Sequence, residues 1–151
     1  MSLNAQNGTV VINEENFPDK AFRTKIGSAT YDRDGNGKLD AAEIARIHQL
    51  DLSGSWPNYI SDLTGIAFFP DIDSLSVRGN KLTAIDLSHN TKIRKLYVDN
   101  NQLTAIDLTP LTALTEFSAA DNKLTAFKAV PTLKSLMLDR NALTSLDLTG
   151  N

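Results

Sequence analysis

The chain has 151 residues, 41% of them apolar and 22% charged, with a formal net charge of −3, which suits one domain or one domain with a small attachment. That mild charge, without a basic stripe to track phosphates, argues against nucleic acid as a partner, and no apolar run is long enough for a transmembrane segment. The absence of cysteine excludes disulfide frameworks, zinc-thiolate sites and thiol catalysis.

The first residues, Met1 to Gly8, carry neither the basic nor the apolar region of a signal peptide. They read either as a cytoplasmic start or as a start placed after a removed signal. Pro18 is suited to open a helix that places Phe22, Ile26 and Ala29 on one face. Residues 32–43 then match a twelve-residue calcium loop. Calcium is a hard cation that takes about six to eight oxygens. The spacing offers the side chains of Asp32, Asp34 and Asn36, the carbonyl of Lys38, Asp40 through a water, and both oxygens of Glu43. Gly37 stands where such a loop bends sharply, and Leu39 is expected to pack inward. A merely solvated acidic turn would need neither that glycine nor that glutamate. Asp40 and Glu43 also form a capping-box pair, opening a second helix that carries Ile44 and Ile47. Regulatory loops of this kind work in pairs, and only one is present. The expected role is therefore a calcium-bound cap over the apolar edge of the adjoining repeats, since terminal repeats need such covering.

The remainder of the chain is repetitive. Ile72-x-x-Leu75-x-Val77-x-x-Asn80-x-Leu82 recurs from Ile93 to Leu103 and from Leu114 to Leu124. Its asparagines at 80, 101, 122 and 141 are spaced by 21, 21 and 19 residues (101 − 80, 122 − 101, 141 − 122). This is a leucine-rich-repeat period, and such a unit is stable only when stacked on its neighbours. The apolar positions point inward and successive turns lay short strands in parallel. Each asparagine turns the chain out of its strand, where its amide can satisfy backbone groups that the bend leaves unpaired. Asn80, Asn101, Asn122 and Asn141 should thus form a structural ladder. The return halves, such as Leu82-Thr-Ala-Ile85-Asp-Leu87, add a second inward column without room for a long helix, so the convex side should be extended or 3₁₀. The two half-repeats are alike enough that either could supply the concave face. Ile47-x-x-Leu50-x-Leu52 is a degenerate first coil, with Ile60 to Ile66 as its return half. Trp56, Tyr59, Phe68 and Phe69 are expected in the core of that irregular coil rather than on a sugar-stacking platform.

The expected fold is an α/β solenoid: a leucine-rich repeat with short parallel strands and a mostly non-helical convex side, preceded by a small helical EF-hand-like cap. Residues 1–46 form the cap and residues 47–151 the solenoid. On the first-half strands the residues alternating with the inward leucines stack into columns. The middle column reads Asp51, Ser76, Tyr97, Ser118, Met137, flanked by Gln49, Ser74, Lys95, Glu116, Ser135 and by Ser53, Arg78, Asp99, Ala120, Asp139. Tyr97 with Arg78 and Lys95 is the candidate anchor, since aromatic and arginine side chains dominate hot spots. Asp99, Glu116 and Met137 complete the candidate binding set. Nothing suggests an enzyme: His48 and His89 sit in different coils, no serine stands in a nucleophile elbow, and the equivalent Asp86, Asp107 and Asp147 read as turn chemistry.

The run Phe17-Pro-Asp-Lys-Ala-Phe-Arg23, the calcium loop, Asp62-Leu-Thr-Gly-Ile-Ala-Phe-Phe69 and the repeated Asn-x-Leu-Thr-x-Leu-Asp-Leu resemble bacterial cell-surface leucine-rich-repeat proteins of the internalin kind, over nearly all of residues 12–151. That resemblance implies secretion, extracellular or cell-surface exposure, and a role in adhesion or ligand binding. Many such proteins carry cysteine where this chain has Val77, Val98, Ala119 and Leu138. The functional expectation is a calcium-stabilised binding module for a protein or glycan. The alternative is a structural spacer or accessory region of a larger surface protein. Because no polar cap follows Leu148, the layer of Leu136, Leu138, Leu146 and Leu148 should lie uncovered. The expectation is that the natural protein continues beyond residue 151, or that two chains associate through this end.

Overall fold

The computed structural model describes residues 8–149, so the readings placed on residues 1–7 and 150–151 lie outside the described residues. Five short strands, β3 (Gln49–Asp51), β4 (Ser74–Ser76), β5 (Lys95–Tyr97), β6 (Glu116–Ser118) and β8 (Ser135–Met137), form one parallel sheet in the order β3-β4-β5-β6-β8. Its register aligns Leu50, Leu75, Leu96, Phe117 and Leu136 on one side. All but Leu136 are at most 2% exposed. The residues on either side of this row stack as Gln49, Ser74, Lys95, Glu116, Ser135 and as Asp51, Ser76, Tyr97, Ser118, Met137, the columns expected from the repeat. The chain is thus a parallel-strand solenoid of leucine-rich-repeat type. On the return side a 3₁₀ turn spans Ile66–Phe68, and β7 (Ala126–Lys128) pairs in parallel with β9 (Ser145–Asp147).

The asparagines lock consecutive coils together. Asn101 Oδ1 accepts from the Leu82 N–H at 3.0 Å, while its amide nitrogen donates to the carbonyls of Val77 at 2.9 Å and Val98 at 3.0 Å. Asn80 accepts from Ile60 N–H and donates to Leu52 and Val77. Asn122 accepts from Leu103 N–H and donates to Val98 and Ala119, and Asn141 accepts from Leu124 N–H and donates to Ala119 and Leu138. The residue before each of them, Gly79, Asn100, Asp121 and Arg140, has φ of 66°, 55°, 54° and 52°. Glycine, asparagine and aspartate enter this left-handed region at little cost. Arg140 does so while its guanidinium pairs with Asp121 of the previous coil.

The N-terminal residues share the solenoid's core. Helix α1 spans Lys20–Ile26 and buries Phe22 and Ile26, but its cap is Asp19, not Pro18. It also stops before Ala29, which is exposed; the glycine at 27 ends it after two turns. Phe17 meets Phe22 edge-on at 5.4 Å and Phe68 at 5.5 Å, and Phe69 closes the cluster at 6.2 Å from Phe17. Gly65, at φ 104°, lets this happen: a Cβ there would lie 2.4 Å from the Phe17 ring. Asp19 ties α1 to the first coil, because Oδ1 accepts from the N–H groups of Ala21 and Phe22 while Oδ2 accepts from the N–H and hydroxyl of Ser61.

Two expectations for the first coil need correction. Phe68 and Phe69 are core, but Trp56 is 82% exposed, because residues 55–58 close on themselves through the Ser55–Asn58 bridge. Tyr59 is half-buried, under the ammonium of Lys81 at 4.8 Å from its ring centre. At the other end Leu146 and Leu148 are 54% and 46% exposed, whereas Leu136 and Leu138 are half-buried. No helix among the described residues is long and apolar enough to cross a membrane.

Candidate functional site

Two regions carry the candidate residues. In the first, residues 32–43, strand β2 (Lys38–Leu39) pairs antiparallel with β1 (Val10–Val11). Leu39 is fully buried. Helix α2 spans Ala41–Ile44 with the expected capping box: Asp40 Oδ1 accepts from Glu43 N–H at 2.8 Å and Glu43 Oε2 from Asp40 N–H at 3.1 Å. Ile47 is buried beyond that helix's end.

Asp32, Asp34 and Glu43 each place a carboxylate oxygen within 4.8 Å of the others. Asp32 and Glu43 are only 3% and 6% exposed. Backbone donors aim them: Asp32 accepts from Asn36 N–H and Gly37 N–H, the latter at 2.9 Å, and Glu43 Oε1 accepts from Arg33 N–H at 2.7 Å. Gly37, at φ 75°, supplies the bend. Asn36 accepts from Lys38 N–H and donates to Asp34, so Asn36, Lys38 and Asp40 are bound into the loop's own framework. Among the described residues none of the three converging carboxylates has a cationic side-chain partner. Like charges held this closely, two of them buried, repel unless a cation is shared between them. The donor set therefore fits a hard divalent cation.

The second region is the outer face of the long sheet. Arg78 Nε bonds Asp99 at 2.7 Å, and its guanidinium carbon lies 4.1 Å from the centre of the Tyr97 ring. The Tyr97 hydroxyl donates to Glu116 at 2.5 Å, and Lys95 approaches Glu116 at 3.3 Å. Five of the six candidate binding residues thus form one network across β4, β5 and β6; Met137, 52% exposed, stands apart on β8. Asp99 is 7% exposed and accepts from the Ser118 hydroxyl and the Ala120 N–H. Burial pushes its carboxyl up, but the Ser118 hydroxyl, Arg78 and the Ala120 N–H outweigh that and hold it below the usual value. The hydrogen bond from Tyr97, together with Lys95, lowers Glu116, and the same bond raises Tyr97.

Asn90 does not stand out in the repeat pattern, yet it is fully buried and donates to the carbonyls of Ile66 at 3.1 Å and Phe69 at 2.9 Å in the previous coil. A signal for it does exist in the sequence: the corresponding place 21 residues on (111 − 90) holds Leu111, so an asparagine in that apolar column needs polar partners.

No family model matches the chain, and no curated protein matches it. Solved structures do. The chain is similar to the functional domain of InlJ from Listeria monocytogenes, which includes a cysteine ladder, at 32% identity over 99% of this chain and 32% of that one, with a TM-score of 0.84. It is similar in fold to InlF, an internalin of the same species, at 22% identity over 96% of this chain and 46% of that one, with a TM-score of 0.76. Internalin C2 of that species follows at 20% identity over 95% and 79%, with a TM-score of 0.66. The chain thus spans less than half the length of the first two. Having no cysteine, it fills its interior beside the strands with Val77, Val98 and Ala119, all fully buried.

Proposed function

We propose that this chain is the calcium-stabilised recognition module of a bacterial surface protein, presenting its long-sheet face to a protein or glycan. The observation that carries the reading is the network of Arg78, Tyr97, Asp99, Lys95 and Glu116 on adjacent strands. Side chains already ordered against one another lose little conformational freedom on binding, which favours affinity, and Tyr and Arg are the residue types that anchor interfaces. Similarity to InlJ supports placement at the cell surface or outside the cell. Calcium would be held by Asp32, Asp34 and Glu43, with Asn36, the Lys38 carbonyl and Asp40 completing the shell. It would neutralise the converging carboxylates and so fix the cap on the first coil.

Screening of the intact chain on glycan and protein arrays tests this reading. The expected result is reproducible binding that is lost in Tyr97→Ala. Silence on every array would overturn it and leave the chain as a spacer without a ligand of its own.

A further inference from the structure

Hydrogen-bonding capacity on the long-sheet face is unevenly spent. Around Tyr97 the polar groups bond one another. Toward the cap Ser53 still bonds Asp51 and Ser76, but several other polar groups are left unspent. A shallow groove of about 430 Å³ runs between Thr30 and Tyr31 of the cap and the first three strands, floored by Gln49, Ser74 and Ser76 and bounded at its far end by Arg78 and Tyr97. It continues past Thr30, Tyr31 and Gln49 into a second recess of about 200 Å³ walled by Arg33 and Arg46. The larger volume lies within the range of small-ligand sites, about 300–1,000 Å³.

Among the described residues, the guanidinium groups of Arg33 and Arg46, the Thr30 and Ser74 hydroxyls and the Gln49 amide have no hydrogen-bond or ion-pair partner. The Tyr31 oxygen accepts from Asp51 N–H and so keeps its own proton to donate. Charge is polarised along the groove. Two unpaired arginines stand at one end, beside the buried carboxylate of Glu43 that the loop's own N–H groups hold. At the other end Arg78 is committed to Asp99; between the two, beside Tyr31, Asp51 is held ionised chiefly by the Ser53 hydroxyl, with Lys25 and Arg78 nearby.

We propose that this groove binds an acidic glycan, with its carboxylate or sulfate against Arg33 and Arg46 and neutral sugar hydroxyls along Tyr31, Gln49, Thr30 and Ser74. A forked guanidinium matches a planar or tetrahedral oxyanion through paired hydrogen bonds. The neutral stretch offers hydroxyls and an amide rather than apolar side-chain pockets, which suits a polyol better than a peptide. The unpaired arginines stand at one end only, which sets the ligand's direction. The proposal rests on the reading of this face as a recognition surface and names the ligand class for its cap-proximal part.

The test is a titration of the full chain, in calcium-containing buffer, followed by amide chemical shifts. The probes are 3′-sialyllactose, lactose as its neutral counterpart, and hexaglutamate as an acidic peptide. Saturable shifts confined to Thr30, Tyr31, Arg46, Gln49 and their neighbours are expected with sialyllactose, with lactose weaker by about tenfold or more. The double variant Arg33→Gln, Arg46→Gln should lose about tenfold or more in affinity with the rest of its spectrum unchanged. Equal response to lactose, equal binding of hexaglutamate in the same groove, or unchanged affinity in the double variant would each overturn the proposal. Array binding that depends on Tyr97 but comes with no sialyllactose shifts sinks this inference alone. Sialyllactose binding in a protein whose array signal is indifferent to Tyr97 sinks only the reading of the central network.

Discussion

Replacing Asn101 with alanine separates two accounts of the asparagine column, a structural ladder or ordinary turn residues. Asn101 serves four backbone groups: it accepts from Leu82 N–H and donates to the Val77, Val98 and Asp99 carbonyls. The carbonyls are insured, because Val77 also accepts from Asn80, Val98 from Asn122 and Asp99 from Gly79 N–H. Among the described residues the Leu82 N–H has no second partner. Alanine therefore orphans one buried donor, at about 1–3 kcal/mol, and weakens three acceptors, for a total of about 2–4 kcal/mol. Asn101→Asp should do little better, since a carboxylate accepts from Leu82 but cannot donate to any of the carbonyls. Ser74→Ala, on a hydroxyl without a partner, should stay within about 0.5 kcal/mol of wild type. Equilibrium urea unfolding at constant m-value reads the difference directly. If Asn101→Ala costs no more than Ser74→Ala, the asparagines are ordinary turn residues and the ladder does not hold the coils together.

Calcium at about 100 times its dissociation constant should add roughly 2.7 kcal/mol to stability, read as a rise in Tm that chelator reverses. Glu43→Gln should keep the capping box, because glutamine serves there too, but lose that rise; a wild type indifferent to chelator contradicts the proposed cation. Asp99 and Asp19 both have carboxyls that burial would raise but that hydrogen bonds hold below the usual value: those of Ser118 and Ala120 with the Arg78 pair for Asp99, and those of Ser61, Phe22 and Asp62 for Asp19. Their contribution is therefore complete above the ordinary carboxylate range and is lost as pH falls through the lower folded values, so Tm should drop below about pH 4. Asp99→Asn should blunt that drop, and an equally steep fall in the variant would count against the assignment. Gly65→Ala combines a backbone at φ 104° with a Cβ 2.4 Å from the Phe17 ring and should cost about 2–5 kcal/mol. Thermal unfolding that leaves Gly65→Ala within error of wild type would mean that the Phe17 segment docks otherwise.

The parts of this molecule readable in the sequence are those whose chemistry recurs at fixed spacing. The ladder asparagines repeat with the coil, and the convergence of Asp32, Asp34 and Glu43 follows from twelve consecutive positions. The features that escape such a reading depend on contacts between segments far apart in sequence. Asp19 looks like a loop residue, yet it caps α1 with one oxygen and holds Ser61, 42 positions away, with the other. Trp56 looks like core by composition, and only the local closure of its insertion explains its exposure. The left-handed Arg140 carries no sequence signature, because its conformation is imposed by the ladder asparagine that follows it. On the long-sheet face the sequence puts Tyr97 and its charged neighbours on adjacent columns, and the structure bonds them into one network. The sequence cannot distinguish those bonded to each other from the unspent groups at the cap, since that depends on rotamers and not on register.

The claim that the long-sheet face is the recognition surface is tested most directly by hydrogen–deuterium exchange of the chain with and without a ligand captured on the arrays. Added protection is expected on β3, β4, β5 and β6 and on the cap segment around Tyr31, with none on the return strands β7 and β9. Protection centred on β7, β9 or the Leu146 and Leu148 edge, with the long sheet unchanged, would contradict the account.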